Sequence, residues 1–415
     1  MSPTTIPAAT HAEHAAEEKA RLREIAFLNW AHAVDHFVLL IYPTVVIGLE
    51  VVYGLPYSEL IALSGAAFLA FGVFSLPAGW LADRWSRRNM MAVFYFGCGV
   101  SLAGVGFAPN LTVLAVAMFM LGVFAAIYHP VGMAMLIEAS GAKGRTLAFN
   151  GVCGNLGVSL AAGISAALAS WLGWRAAFFA PAAICIVTGF VYIWLTPGDL
   201  HLVKARKKVA AVPLPPRLMV VFFGLFIVLA LTAGLTFNVL TIALPKIVDE
   251  GMAKDVPLVM VGSVATAVLV CGALAQLSVG RLVEIITPHM LFAIVTGLGF
   301  LGNLWAAYAS GISLLIALAV AVAAIYGQVT VNDMIMARYT ADAWRGRVYA
   351  VRYFLVFISA GAAIGLISLL HQSGGFAMVL GANAVLGLML FIATLILVML
   401  IVSVEGKHAA TQPAE

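Results

Sequence analysis

The chain has 415 residues, of which 63% are apolar and only 10% are Asp, Glu, Lys or Arg. Soluble domains are about 45–50% apolar and about 25% charged, so this composition excludes an ordinary soluble enzyme, a disordered protein and a secreted disulfide scaffold. The net charge of +4 is small, and the mean hydropathy of +1.06 predicts an all-α polytopic membrane protein.

Twelve apolar segments are long enough to cross the hydrocarbon core, which takes roughly 20 residues. They follow a polar leader at 1–24, which we expect to be cytoplasmic, and end before a polar tail at 404–415. A linker at 197–216, rich in Pro and basic residues, separates a six-helix bundle at 25–196 from a second at 217–403. The predicted spans are 25–49, 59–82, 89–108, 111–138, 147–171, 174–196, 217–244, 257–279, 289–309, 312–337, 347–370 and 376–403.

Lysine and arginine are concentrated on one side of the predicted membrane. Only Arg175, Lys246 and Lys254 of the 22 basic residues fall in connections that would face outward if both termini are cytoplasmic. Because basic residues accumulate on the cytoplasmic side, we predict cytoplasmic termini and a multi-pass protein of the bacterial inner membrane. We expect the lipid bilayer and a small-molecule or ion substrate as partners, no nucleic acid, and a monomer.

The two halves of the chain share short sequence echoes at an offset of about 200 residues. The sequence GWLAD at 79–83 is echoed by GRLVE at 280–284, and AAIY at 125–128 recurs at 323–326. Two parallel six-helix repeats predict pseudo-symmetric bundles with a binding site at their interface, near the middle of the membrane.

The connection after the second span has the sequence GWLADRWSRR at 79–88. It resembles the loop motif of the major facilitator superfamily, commonly G-x-L-x-D-R-x-G-R-[RK], with Ser86 where Gly is usual. The resemblance extends over all twelve spans and implies two bundles that rock about a central site. Asp83 lies past the end of span 2, where it can accept hydrogen bonds from the first amides of a neighbouring helix, which we expect to be span 11.

The basic residues of this motif are candidates for gating. Arg84, Arg87 and Arg88 can pair with acids such as Glu138, at the cytoplasmic end of span 4. With Asp83 they would hold the cytoplasmic side closed while the outer side is open. The alternative is that these arginines only set the topology.

A second resemblance covers roughly 40 residues in spans 4 and 5. His129-Pro130, Gly144-Arg145 and the sequence GVCGNLG at 151–157 are similar to the corresponding region of fosmidomycin-resistance-type exporters. This resemblance implies proton-coupled efflux of a drug or metabolite.

Span 1 carries ionisable residues near the predicted middle of the membrane, where a charge costs about 2.5–3.5 kcal/mol on translocon scales. Asn29, His32 and His36 share one helical face, and Asp35 follows His32 by three positions. Three interpretations stay open. The residues form a proton-coupling site, a metal site with His32, Asp35 and His36 as ligands, or a hydrogen-bonded network between helices.

Other polar residues fall in spans that we expect to line the same cavity. His129 in span 4 either faces the span 1 residues or makes a packing hydrogen bond beside Pro130. Asp333 and Arg352 would form an ion pair in the cytoplasmic third, which also suits a gate. The remaining candidates for binding substrate or protons are Tyr128, Asn238, Tyr326, Gln328 and Asn332. In the repeat Asn238 corresponds to His36, and Asn150 in span 5 is a weaker candidate.

The sequence contains no nucleotide-binding P-loop, so we expect no intrinsic ATPase. It also contains no soluble catalytic domain and no nucleophile elbow, so we expect no other enzyme. We predict a secondary active transporter that works by alternating access and exports a small organic compound by proton antiport. No cofactor is expected, and Asp35 with His32 and His36 would carry the proton as coupling ion. Two alternatives stay open: transport of a divalent transition metal or its chelate, and a transporter-like receptor that moves no substrate.

Overall fold

The computed structural model describes the fold of residues 11–141, 144–196, 198, 216–252, 256–340 and 342–411. Within these residues the regular structure is helical, without a strand, and eleven helices are long and apolar enough to cross a membrane. The longest, Asp342–Thr411, is broken at Gly374 and at Gly375, whose φ is 64°. Glycine adopts this left-handed conformation readily, and the break divides the helix into spans 11 and 12. The predicted all-α fold with twelve spans is confirmed.

The other ten spans follow the predicted order, and two of them are interrupted. Span 2 consists of Tyr57–Ala62 and Gly65–Arg84. Span 4 consists of Leu111–Ala125, a π-helical turn at Tyr128–Gly132, and Met133–Ser140. The uninterrupted helices, for spans 1, 3 and 5 to 10 in order, are His11–Tyr53, Arg87–Phe107, Gly144–Leu172, Ala176–Leu195, Pro216–Gly251, Leu258–Leu282, Pro288–Tyr308 and Gly311–Tyr339.

The first helix starts earlier than the predicted span and runs through part of the leader. Its first turns are rich in Ala, Glu, Lys and Arg, which favour helix, and Glu17 and Arg21 have the i,i+4 spacing of a stabilising pair. Residues 1–10, 199–215 and 412–415 lie outside the described residues. The predicted boundaries of leader, linker and tail therefore stay predictions.

Ser86, the departure from the superfamily motif, starts the third span. Its backbone is extended, and its hydroxyl oxygen accepts a hydrogen bond from the Asn89 amide at 3.1 Å. Serine is among the preferred N-cap residues because it satisfies one of the free amides of the first turn. The loop at this position needs a cap, and it does not need glycine.

Close helix contacts join the two six-helix halves along two lines. Span 5 packs on span 8, where Gly163 donates its amide hydrogen to Thr266 Oγ1 at 2.9 Å. Span 2 packs on span 11, and a Cβ at Gly72 would lie only 2.8 Å from the Ile358 amide nitrogen. Small residues thus let the backbones of opposite halves approach closely, as is common between helices in lipid.

Ion pairs connect the two halves at one end of the bundle. The charge distribution predicts that this end faces outside, and we call it the outer end. Lys246 Nζ in span 7 lies 2.5 Å from Glu50 Oε2 in span 1 and 2.9 Å from Asp249 Oδ2. His371 Nε2 at the end of span 11 lies 3.0 Å from Glu250 Oε1 and packs on the ring of Tyr57. The outer end is therefore sealed in this structure.

Replacing Lys246 by Met should loosen the outer end, since it leaves Glu50 and Asp249 without their shared cation. A partly exposed pair contributes up to about 1 kcal/mol, which corresponds to about a fivefold shift toward opening. The Ser368 hydroxyl donates to the Ser58 carbonyl across the outer end at 2.8 Å. Labelling of a single cysteine at Ser368 by an impermeant maleimide therefore measures the shift. Arg175→Met is the matched control, because Arg175 stacks on Trp174 within one half. Equal labelling of both variants would contradict a sealing role.

Candidate functional site

Three histidines from two spans meet in the middle of the first half, and we call His32, His36 and His129 the histidine cluster. One ligand nitrogen from each lies within 4.8 Å of the other two. The ring centroids of His32 and His36 are 5.0 Å apart, and both rings lie 5.4 Å from that of His129. Among the described residues these three side chains are the group with metal-ligand spacing.

His32 is held in one orientation by span 5 and span 4. Its Nδ1 lies 2.8 Å from the Asn150 carbonyl oxygen and 2.9 Å from Asn150 Oδ1. Tyr128 stacks on one face of the ring, at 4.8 Å and 25°. A Cβ at Gly154 would lie 2.5 to 2.8 Å from three ring atoms, so only glycine leaves room for the other face. Span 5 therefore fixes a residue of span 1.

Asn150 connects the predicted polar residues into one network. Its Oδ1 accepts the hydroxyl of Tyr128 at 3.1 Å, and its Nδ2 donates to Asn29 Oδ1 at 3.0 Å. Asn29 thus acts on the cluster through Asn150, and Tyr128 acts both through Asn150 and by stacking directly on His32. The sequence marked Asn150 as only a weak candidate, since a single Asn in a span gives no pairing signal.

The π-helical turn of span 4 places His129. Pro130 has no amide hydrogen, so the α-helical hydrogen-bond pattern fails at this point. The wider turn at Tyr128–Gly132 accommodates the break, and such turns occur frequently at functional sites. His129 consequently faces the histidines of span 1.

Asp35 lies beside the cluster and is completely buried. Its Oδ2 is 3.4 Å from His129 Nε2, without hydrogen-bond geometry, and neither carboxylate oxygen has a hydrogen-bond partner within the described residues. The metal ligands predicted from sequence are His32, Asp35 and His36. The structure instead groups His129 with His32 and His36, and Asp35 lies next to His129.

Aromatic residues of the second half cover the open side of the cluster. The ring of Phe357 in span 11 lies 4.6 Å from that of His129, and the half-exposed ring of Tyr353 stacks on it at 6.4 Å. Phe71 of span 2 packs on Phe357 at 4.8 Å. We call the interface between the halves around His36, His129 and Tyr353 the central cleft.

The polar candidates of the second half are dispersed. Asn238, the counterpart of His36 in the repeat, donates to the Gly234 carbonyl at 2.8 Å and contacts Ser359 of span 11. The remaining three are buried, and Tyr326 Oη, Gln328 Oε1 and Asn332 Oδ1 have no hydrogen-bond partner in the part of the chain that is described.

Asp333 and Arg352 form an ion pair between spans 10 and 11. The Arg352 side chain is 11% exposed and that of Asp333 is 36% exposed. The Arg352 guanidinium also lies 5.8 Å from the ring of Tyr353, which lines the central cleft.

The five gating candidates lie together at the end opposite the outer end. Arg87 bridges Asp83 and Glu138, at 2.9 and 2.8 Å. Arg88 donates to the carbonyls at the end of span 6, and Arg84 stacks on the ring of Trp80 at 4.2 Å. The predicted contact of Asp83 with span 11 is absent from the described contacts and stays a prediction for another conformation.

Comparison with known proteins places this chain in a family. The sequence model described as Major Facilitator Superfamily matches residues 25–261, which is more than half of the chain. The chain belongs to the major facilitator superfamily. It therefore shares the superfamily's membrane transport fold, in agreement with the resemblance found at residues 79–88.

Superfamily relatives match over limited segments. The probable L-galactonate transporter of Escherichia coli is 29% identical over 38% of this chain and 33% of its own length. Puromycin resistance protein pur8 of Streptomyces alboniger is 31% identical over 29% of this chain and 25% of its own length. The matched segments thus span a third or less of these relatives.

Solved structures of superfamily transporters match nearly the whole fold. A bacterial homologue of the human lysosomal transporter Spinster, inward-facing and unoccupied, gives a TM-score of 0.71 at 14% identity and covers 91% of this chain and 97% of its own. A D-xylose-proton symporter gives 0.68 at 15% identity, with 89% and 95% covered. At this identity the likeness concerns the fold.

Proposed function

We propose that this chain is a proton-coupled secondary transporter that exports a small organic solute, a drug or a metabolite, across a bacterial inner membrane. The observation that carries the proposal is the central cleft, where the histidine cluster of the first half meets Tyr353 of the second half. Ionisable residues are costly in lipid and usually mark a substrate or ion pathway.

The sealed outer end supports a cleft that opens toward the cytoplasm in this conformation. Its outer end is sealed by Lys246 with Glu50 and by His371 with Glu250. Asp83 binds Arg87 of its own half instead of span 11. In the opposite conformation the outer contacts open, and Asp83 joins the two halves on the cytoplasmic side. The halves thereby expose the cleft to one side at a time.

Asp333 is the residue that we assign to the coupling proton. Protons leave an antiporter to the cytoplasm in this conformation, and the partly exposed carboxylate of Asp333 is accessible there, paired with Arg352. Asp35, the residue favoured by sequence alone, has no exposed surface. A proton bound to Asp333 would remove the charge that holds Arg352 and so bias the position of span 11 beside the cleft.

Export as the direction is supported by the similarity to pur8, whose name describes resistance to puromycin. The name of the E. coli relative describes transport of L-galactonate, a hydrophilic anion. These two compounds are therefore the first probes to use.

Proteoliposomes with an acidic lumen test the proposal. We expect puromycin or galactonate to accumulate inside while the lumen loses protons, as reported by a pH-sensitive dye, and a protonophore should abolish the accumulation. Downhill movement of a probe without any proton release would show that the protein transports but is not an antiporter with protons.

A further inference from the structure

We propose that His32, His36 and His129 form a binding site for a divalent transition-metal ion in the central cleft. Their ligand nitrogens lie within 4.8 Å of one another. Nitrogen ligands of tetrahedral zinc, at about 2.0–2.1 Å from the ion, are about 3.3 Å apart. The rings therefore need to close by no more than about 1.5 Å around an ion, which small side-chain rotations provide.

His32 already presents the correct nitrogen. Both contacts of its Nδ1 are acceptor oxygens of Asn150, so Nδ1 carries the hydrogen and the lone pair is on Nε2. Tyr128 and Gly154 cover the two faces of the ring and leave the direction in its plane open. A hydrogen bond from the second ring nitrogen to a carbonyl is the usual support of a metal-binding histidine.

Asp35 is a second, independent indication of a cation. It is completely buried, and its carboxylate oxygens have no hydrogen-bond donor within the described residues. A buried carboxylate is paired or coordinates a metal, because an isolated one is strongly destabilising. With Oδ2 only 3.4 Å from His129 Nε2, Asp35 can orient that ring and offset the charge of an ion.

The donor set selects the class of ion. Imidazole nitrogens suit zinc, copper, nickel, cobalt and iron, whereas magnesium and calcium prefer oxygen ligands. Three protein ligands leave one tetrahedral position open, and the His129 side chain keeps 13% of its surface exposed. This inference deepens and rests on the proposed function, because the ion would be cargo, alone or bound to a donor atom of the solute.

Metal titration of the purified full-length protein tests the site. We expect one Zn²⁺ per chain by calorimetry, visible d–d bands of tetrahedral Co²⁺, and no effect of Mg²⁺. His36→Ala and His129→Ala should each weaken binding at least about 100-fold, more than the loss of an outer-shell partner usually costs. His289→Ala, at the start of span 9, and a His11→Ala/His14→Ala double variant should bind like the wild type.

Asp35→Asn keeps all three imidazoles and should weaken binding about 10- to 100-fold. Thermal unfolding without metal shows whether each variant folds. If His36→Ala does not fold, His36→Gln is used in its place. Absence of a stoichiometric ion in the wild type, or wild-type affinity in both histidine variants, would overturn the site.

Because this measurement involves no transport, proton exchange that persists without metal binding leaves the proposed function intact. Metal binding without proton exchange would refute the proposed proton coupling and leave the metal site standing. Zn²⁺ and a preformed Zn²⁺–citrate complex, offered separately to proteoliposomes, distinguish the free ion from a chelate.

Discussion

Replacement of Asp333 by Asn should abolish accumulation driven by a pH gradient while downhill exchange of the solute continues. Asn cannot bind and release a proton, yet it still offers Arg352 a hydrogen-bond acceptor in place of the carboxylate. One pH unit corresponds to about 1.36 kcal/mol for each proton. For one proton per solute, a gradient of about two units supports an accumulation of up to about 100-fold, which the variant should reduce to about onefold.

Controls separate the loss of a proton site from the loss of an ion pair. Asp333→Glu should retain coupled accumulation, since it keeps both the charge and the titration. The swapped pair Asp333→Arg/Arg352→Asp should restore folding and downhill exchange if the pair stabilises spans 10 and 11. Glu59→Gln removes an exposed acid at the start of span 2 and should behave as the wild type. Full accumulation by Asp333→Asn would assign the proton to another residue.

Replacing Gly72 by Leu should prevent the outer end from closing and hold the transporter outward-open. A Cβ at this position would lie 2.8 and 2.9 Å from the amide nitrogen and Cα of Ile358, which belong to the backbone of the opposite half. Neither atom can move aside as a side-chain tip can. Overpacking typically costs 1–3 kcal/mol, and at about 3 kcal/mol the sealed conformation becomes roughly 100-fold less populated.

Maleimide labelling of a single cysteine at Ser368 measures this shift, because the Ser368 hydroxyl donates to the Ser58 carbonyl across the sealed outer end at 2.8 Å. We expect fast labelling in Gly72→Leu, together with loss of transport and normal folding. Gly151→Leu is the matched control, since a Cβ at Gly151 meets no atom within 4 Å. Slow labelling in Gly72→Leu would show that spans 2 and 11 can separate without opening the outer end.

Composition and the internal repeat determine the fold because lipid permits few solutions. Every backbone polar group must be satisfied within a span, so apolar segments of about 20 residues predict helices, and basic connections predict their direction. The break at Gly374 and Gly375 was placed correctly between two apolar runs. The helical extension to His11 was not predicted, because an amphiphilic leader has no apolar signal.

The site was predictable only in part. Ionisable residues in apolar spans are conspicuous, which is why His32, Asp35 and His129 were recognised. Their arrangement depends on contacts between spans 1, 4 and 5 that no local pattern encodes, so the position of Asn150 at the centre of the network was missed. The outer-end residues Lys246 and Glu50 look like ordinary charged residues in sequence. They are 196 positions apart, so only the folded structure shows that they form an ion pair.

The π-helical turn at Tyr128–Gly132 has a consequence for the register of span 4. One extra residue in a turn rotates everything that follows it by about 100° relative to an uninterrupted α-helix. Over nine residues an uninterrupted α-helix would point His129 and Glu138 about 180° apart, whereas the π-helical turn brings this angle to about 80°. A substitution that lets the turn become α-helical at the same length would rotate Glu138 by about 100°, away from Arg87. Deleting one residue of the turn would instead straighten the helix and leave the direction of Glu138 unchanged. The turn thus sets the angle between the residue that faces the cleft and the residue that binds Arg87.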